Sequence, residues 1–491
     1  MKEDKAETEH LEHYLTRIGK ALDTFLHFDH EDALCSSATW QKDLSESVPQ
    51  QGIGINKVIE LLNNTIIPNG SAIVKPGFTA YITTGATTIA ALANTAASIA
   101  SPQRYTQTAF NYLEELSLDW LADMFYLNNM KGVYSSGGSV ANLIALGGAR
   151  QFTFEKLGID VAAEGITKPV TVYASSECHH TIQRSMGVLG LGRRNVVSID
   201  TDPQGRLLMD DLKQKLEKDL SQGKIPMAIV ASAGTTNRGA IDPLFAMGTL
   251  AREHGIWFHV DGAYGLPGIL DERVQSHYKG LELADSVITD PHKWLGASVG
   301  IAATFVNDRE LLARAFTQEP ADYLEGSVES APDNPLSESQ RLQHSLDSFG
   351  IPFFDYSVEL SAPCRGVVVW SMLKEIGVQG MRERIKRHND MATQTAQLVQ
   401  DHPQLELLGN PELSICCFRF NDPQIEDLNT FNQRLHRQLI RENRYLPSTT
   451  KVNGELAIRP CYLGARTESK HVFGLVEDVI RIGLALIHKP D

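Results

Sequence analysis

The chain is short of the features that mark several functional classes. Six cysteines are spread over 491 residues with no CxxC pair and no recurring spacing. A disulfide framework or zinc ribbon therefore has no support, and reduced thiols are the default. Cys178 lies near the chemistry described below, where a small buried hydrophobe is its plainest role. Basic residues are in deficit: 45 Lys and Arg against 60 Asp and Glu leave a net charge of −15, so there is no electrostatic footprint for nucleic acid or an anionic membrane. The opening MKEDKAETEH lacks the apolar segment of a secretory signal, which implies a cytoplasmic location. Long hydrophobic runs are missing as well. The stretch from Lys75 to Arg104 carries no charge between those two residues, but Thr, Asn, Ser and Gly interrupt it throughout. Such a stretch reads as buried at a core or subunit interface, since a spanning helix wants a continuous apolar run.

What is present is ordinary globular composition, 42% hydrophobic and 21% charged, with length for more than one domain. Residues 1–75 mix helical spacing with polar breaks and read as an N-terminal helical arm. From about 130 onward, short β-branched runs alternate with amphipathic helices: VTVYAS (170–175), PMAIVASAG (226–234), IWFHVDGA (256–263), SVITD (286–290) and IAATFV (301–306). Between them, DDLKQKLEKDL places Leu212, Leu216 and Leu220 on one helical face. That alternation predicts an α/β layer over 76–370 with a mostly parallel central sheet and helices on both faces. The polar segment 325–350 reads as a long loop. A helix over 370–400, a strand at LSICCFRF (413–420) and a terminal helix predict a small α+β domain over 371–491.

Chemistry concentrates where the predicted strands end, the edge at which open α/β sheets bind ligands. GVYSSGGSVANLIAL (132–146) turns through Ser136, Gly137, Gly138 and Ser139 into a helix, whose first amides and seryl hydroxyls suit a phosphate. It is neither GxGxxG nor a Walker loop, so a dinucleotide or ATP site is poorly supported, and an ordinary strand-to-helix turn has the same look. SSECHHTI (175–182) brings His179 and His180; ASAGTTNRGAIDP (231–243) brings Thr235 and Thr236; HVDGAYG (259–265) ends an apolar run on Asp261. Taken singly, each has a bland reading as a structural histidine, a capped loop or a paired carboxylate. DPHKW (290–294) delivers Lys293 to the end of a buried-looking strand, and a lysine is seldom taken inside unless it is paired or used covalently.

A buried Asp261 requires a cation: Lys293, a metal ion or a protonated heterocycle. His179, His180, His259, Asp261 and His292 could be recast as metal ligands, but no spacing such as HExxH occurs, and that reading leaves Lys293 and the small-residue turn unexplained. Together, a phosphate cradle, an aspartate, a flat imidazole and a lysine on one sheet edge match the needs of pyridoxal 5'-phosphate. The lysine amine condenses with the aldehyde, and the aspartate keeps the ring nitrogen protonated so that the ring accepts electrons from the α-carbon. No metal is called for.

Over about residues 50–485 the chain resembles the pyridoxal-phosphate-dependent amino-acid decarboxylases of the aromatic amino acid and glutamate decarboxylase group: the strings DPHKW, HVDGAYG, SSECHHT and AGTT..GAID occur in that family's order. The resemblance implies an aspartate-aminotransferase-like (type I) fold and a homodimer whose sites are completed across the interface. It implies that Lys293 binds the cofactor covalently, Asp261 pairs with the ring nitrogen, and His179 stacks on one ring face with Ala263 on the other. Thr236 would lie near the phenolic oxygen, and Ser136, Gly137, Gly138, Ser139 and His292 would surround the phosphate. Asp290 would stand nearby, where many relatives carry Asn. TAYITTGAT (79–87) resembles a substrate-side loop, which puts Tyr81 and Thr84 near the amino acid. Counting back from Pro363-Cys364-Arg365 sets Phe353 where relatives carry the tyrosine that protonates the α-carbon, with Tyr356 and Tyr323 as neighbours in sequence. The implied reaction is decarboxylation of an L-amino acid, an aromatic one on the TAYITTG loop, to amine and carbon dioxide. Glutamate, cysteine sulfinate or 2,4-diaminobutyrate as substrate, and a phenylalanine-dependent oxidative deamination to an aldehyde, are the alternatives. A transaminase would use the same lysine, and a non-catalytic scaffold would not need it.

Overall fold

The computed structural model describes residues 11–27, 39–104, 108–317 and 350–488. The expected long loop, with Tyr323, falls outside them apart from Gly350. The larger of two sheets has seven strands: β2 (Lys131–Ser135), β3 (Val170–Ser175), β4 (Val196–Ile199), β5 (Ile225–Ser232), β6 (Trp257–Asp261), β7 (Ser286–Thr289) and β8 (Ala302–Val306), in the order β2-β8-β7-β6-β5-β3-β4. Neighbours from β7 through β4 pair in parallel, while β8 runs antiparallel to both β2 and β7. The central strands are buried along almost their whole length, as strands covered on both faces must be. Each fully buried large aliphatic or aromatic side chain in that layer contributes roughly 1.5–3 kcal/mol of transfer free energy.

Register sets the edge that matters. Ser232 of β5 lies beside Asp261 of β6, and Asp261 lies beside Ile288 of β7. The carboxyl ends of these strands therefore finish level with one another. The helix Gly138–Glu155 packs over the sheet, in contact with β5, β6, β7 and β8, and starts directly above this edge.

A five-stranded sheet, ordered β1-β11-β12-β10-β9, joins β9 (Leu405–Leu407), β10 (Phe418–Phe420), β11 (Leu446–Val452) and β12 (Glu455–Arg459) to β1 (Phe78–Thr79). Phe78 pairs in parallel with Leu446, so a segment far upstream completes the C-terminal sheet. The helix Gly366–Gln400 links the two layers. Its start is fixed by Glu114, whose buried carboxylate accepts from the amides of Arg365 (3.0 Å) and Gly366 (2.5 Å). It bends at Gly377, where φ 66 and ψ 175 suit glycine alone. The uncharged stretch after Lys75 forms the helix Thr88–Ala100, with Ala90, Ala93 and Ala97 buried and Leu92 and Ile99 turned outward. Among the described residues no helix is long and apolar enough to cross a membrane.

Candidate active site

Lys293 sits where the chain kinks after β7. Its φ of −93° and ψ of −106° break the turn Pro291–Leu295, a backbone state that persists only where the surroundings over-determine it. Here the surroundings are Trp294, fully buried and stacked on Tyr264 at 5.1 Å, and Gly296, whose φ of +83° ends the turn. The kink turns the amine back to Asp290 Oδ2 at 2.9 Å. Lys293 thus pairs with Asp290, which leaves the cation for Asp261 to come from elsewhere.

Asp290, itself 1% exposed, also accepts from the Gly138 amide at 3.1 Å through Oδ2. It caps the first turn of the Gly138–Glu155 helix and stands behind the small-residue turn. The glycines there are demanded by geometry: Gly137 has φ +154°, and a Cβ on Gly138 would lie 2.7 Å from Asp290 Oδ2. His292 Nδ1 donates to the Ile301 carbonyl at 2.6 Å, which frees Nε2 to face the turn. Burial lowers the pKa of His292 below its ordinary value, so its ring is neutral until an anion arrives to favour the second proton.

Asp261 ends β6 with Oδ1 on the Ala263 amide (3.1 Å) and Oδ2 on Asn142 Nδ2 (3.0 Å). His179 follows β3 and is held by Thr181 Oγ1 at 2.8 Å from Nδ1. Its pKa is lowered, chiefly by burial, and a neutral flat ring can lie against an electron-poor heterocycle without charge repulsion. His259, fully buried, has Nδ1 on Ser286 Oγ and Nε2 on Asn142 Oδ1, each at 2.8 Å. With both nitrogens engaged, it has nothing to offer a metal.

All of the residues that the resemblance assigns to the cofactor, from Ser136, Gly137, Gly138 and Ser139 through His179, Thr236, Asp261, Ala263, Asp290 and His292 to Lys293, line one cavity of about 350 Å³. Asn142, Thr181 and Tyr264 line it too and were not picked out from the sequence. Asn142 is a polar side chain on an otherwise apolar buried helix face, between Ala141 and Ile144. That was the available signal.

The substrate-side residues lie apart from this group. Tyr81 is 68% exposed with φ 58°, Thr84 is buried, and neither lines the cavity. Arg459 connects the regions: it donates to the carbonyls of Tyr81 (2.7 Å) and Thr236. Phe353 is 1% exposed and packed below the guanidinium groups of Arg104 and Arg309, 5.9 and 5.6 Å from its ring. Tyr356 lies under Arg309 at 4.7 Å.

The cavity fits pyridoxal phosphate by its own chemistry. A lysine amine, a carboxylate, a neutral imidazole and a glycine turn, in which Gly138 has no room for a Cβ and Gly137 holds φ +154°, surround one slot, within the usual size of a small-ligand site. Fold and site together define a type I pyridoxal-phosphate enzyme. Residues 39–421 match the model of the pyridoxal-dependent decarboxylase conserved domain, and the chain belongs to that family. It is 27% identical over 465 residues to an aromatic-L-amino-acid decarboxylase of Bacillus atrophaeus, covering 92% of this chain and 91% of the relative. A phenylacetaldehyde synthase of Arabidopsis thaliana is 26% identical, covering 91% and 90%. Among solved structures, the Oryza sativa TDC with PLP and tryptamine superimposes with a TM-score of 0.85 at 22% identity, covering 99% of each chain. The chain is a pyridoxal-phosphate-dependent amino-acid decarboxylase, a carboxy-lyase.

Proposed function

We propose that Lys293 is the residue that binds the cofactor's aldehyde carbon, that Asp261 holds the proton on its ring nitrogen, and that the substrate is an aromatic L-amino acid converted to its amine. The observation that carries the assignment is the single cavity that gathers Lys293, Asp261, His179 and the Gly137–Gly138 cradle. Bound pyridoxal phosphate supplies a ring that accepts the electron pair left when the carboxylate departs. The rest falls to the chain. His292 Nε2, the seryl hydroxyls of Ser136 and Ser139 and the helix start would hold the phosphate. Asp290 holds the Gly138 amide, and it pairs with the Lys293 amine until that amine is taken up by the cofactor. His179 would cover one ring face and Ala263 the other, holding the ring so that the scissile bond can be set across its plane. Thr236 would stand on the side of the phenolic oxygen.

The aromatic preference rests on relatives and on charge. The relatives include an aromatic-L-amino-acid decarboxylase, and among the described residues no arginine lines the cavity to receive an acidic side chain. Leu92 and Ile99, 61% and 65% exposed on the Thr88–Ala100 helix, suit a second copy of the chain. In that homodimer the exposed Tyr81 would reach substrate across the interface, whereas Thr84 and Phe353 are buried within their own chain and would act on the substrate side only through the segments they anchor. The cysteines among the described residues are free, in keeping with a cytoplasmic enzyme.

A specific observation favours a second reading. Tyr264 is the tyrosine that lines the cavity among the described residues, and its hydroxyl is engaged by Ser414 at 2.7 Å, while Phe353 holds the position aligned with the family's proton donor. Without a phenol for the α-carbon, dioxygen and water would convert the amino acid to aldehyde, carbon dioxide, ammonia and hydrogen peroxide. Purified, cofactor-loaded protein incubated with aromatic, acidic and diamino acids tests both readings. Amine and carbon dioxide in equal amounts from an aromatic substrate are expected. Aldehyde with peroxide would replace the amine reading, and turnover confined to glutamate or 2,4-diaminobutyrate would overturn the substrate class.

A further inference from the structure

Beneath the cavity runs a chain of buried hydrogen bonds whose direction is set by its ends. Trp257 Nε1 has only a proton to offer, and it donates to Ser286 Oγ at 2.8 Å. At the other end, Asn142 Nδ2 donates to Asp261 Oδ2 (3.0 Å) and to Thr181 Oγ1 (3.1 Å). The remaining Asn142 atom, Oδ1, is an acceptor, so the proton of His259 lies on Nε2, 2.8 Å away. His259 Nδ1 then accepts from the Ser286 hydroxyl at 2.8 Å. Burial keeps this imidazole neutral, its pKa lowered to about 4. Every bond thus points from Trp257 through Ser286, His259 and Asn142 towards Asp261. Bonds aligned head to tail polarise one another. A branch leaves at Thr181, whose hydroxyl, having accepted from Asn142, is free to donate to His179 Nδ1 at 2.8 Å.

We propose that Asn142 is a positioning residue that orients both Asp261 and His179, so that one buried amide aligns the group at the cofactor's ring nitrogen with the group on its ring face. Asn142 and Thr181 line the cavity, while Ser286 and Trp257 lie behind it. Besides His259, the titratable groups that feel the charge of Asp261 are Cys178 and His179, and Asn142 reaches His179 only through Thr181. With Oδ1 on the Ala263 amide and Oδ2 on Asn142, the carboxylate cannot swing, and its remaining lone pairs are presented to the cavity. The inference rests on the proposed role of Asp261.

The test compares pyridoxal phosphate with its 1-deaza analogue, which has CH in place of the ring nitrogen, in reconstitution titrations of the full-length protein. The wild type is expected to favour pyridoxal phosphate. Asn142→Leu should weaken binding of pyridoxal phosphate by about tenfold to a hundredfold, the effect of one hydrogen bond to a charged group, and leave the analogue within about threefold. A variant that keeps the full wild-type preference overturns the inference but not the role of Asp261. A wild type without preference overturns that role and the inference with it. Should Asn142→Leu fail to fold, Ser286→Ala breaks the chain two bonds further back; the preference is then expected to shrink by a smaller factor, and an unchanged preference overturns the polarised chain.

Discussion

In the large sheet, β5 and β6 and the turn after β7 bring Ser232, Asp261, Asp290 and Lys293 to one cavity, whereas Tyr81, Thr84 and Phe353 lie on segments that stay clear of it in the single chain. The first group is placed by strand register, which is fixed by the burial of every neighbouring strand. The second group hangs on long-range ties: Arg459 to the Tyr81 turn, Arg104 and Arg309 over Phe353. The proposed cofactor site is therefore built into the sheet itself, and the proposed substrate-side residues lie on segments outside it.

The strongest way to break this contrast is Lys293→Ala, which should lower decarboxylation by about a thousandfold or more, read as carbon dioxide released from a carboxyl-labelled substrate, with the circular dichroism of the fold retained. Turnover at the wild-type rate would remove the lysine from the chemistry. Asp261→Ala should follow with a loss of about a hundredfold or more, as expected when a preorganised charge at the reacting centre is deleted. A loss below about threefold would detach Asp261 from the ring nitrogen.

Leu92→Asp sharpens the contrast. A carboxylate on the outward face of the Thr88–Ala100 helix should shift the proposed homodimer to monomer in sedimentation, with turnover reduced about tenfold or more while each chain still binds the cofactor. A monomer with full turnover would show that one chain supplies both halves of the site.

The smallest effect is a pH dependence of stability. Burial lowers His259 to about 4 and His388 to about 3 from an ordinary 6.5, and His179, His292 and His436 move the same way. In the folded state these rings bind fewer protons than in the unfolded chain, so the stability they protect is present above pH 6.5 and is lost as pH falls towards 4. Asp242, pushed up to about 7 by burial, has the opposite sign: its folded state keeps a proton that the unfolded chain releases, and stability is lost as pH rises to 7. Glu114, Asp285 and Asp355, raised by burial as well, share its sign; the five histidines outnumber these four carboxyls, and calorimetry should find Tm lower by a few degrees at pH 4.5 than at pH 6.5. A flat or rising Tm would contradict the balance.

The same contrast decides what could be read from the sequence. VTVYAS is β3 residue for residue, and SVITD, IWFHVDGA and IAATFV each contain the observed strand within a residue or two at either end, because fully buried strands are continuous apolar runs broken by polar residues where they stop. Those breaks line the cavity, so the placement of His179, Asp261 and Lys293 at one sheet edge was legible. The strands β11 and β12 were not: LPSTTKV carries too few apolar residues to stand out, and its partner β1 comes from Phe78–Thr79. The pairing of Lys293 with Asp290 was hidden as well, since it depends on the backbone kink at Lys293. Asn142 was missed because an amide among the small and apolar residues of that helix gains meaning only from His259 and Asp261, more than a hundred residues away.

The most direct test of the central claim is borohydride reduction of the cofactor-loaded enzyme, followed by proteolysis and mass spectrometry of the peptides. The account predicts a phosphopyridoxyl group on Lys293. Its recovery on a different lysine, or on none, would contradict the account.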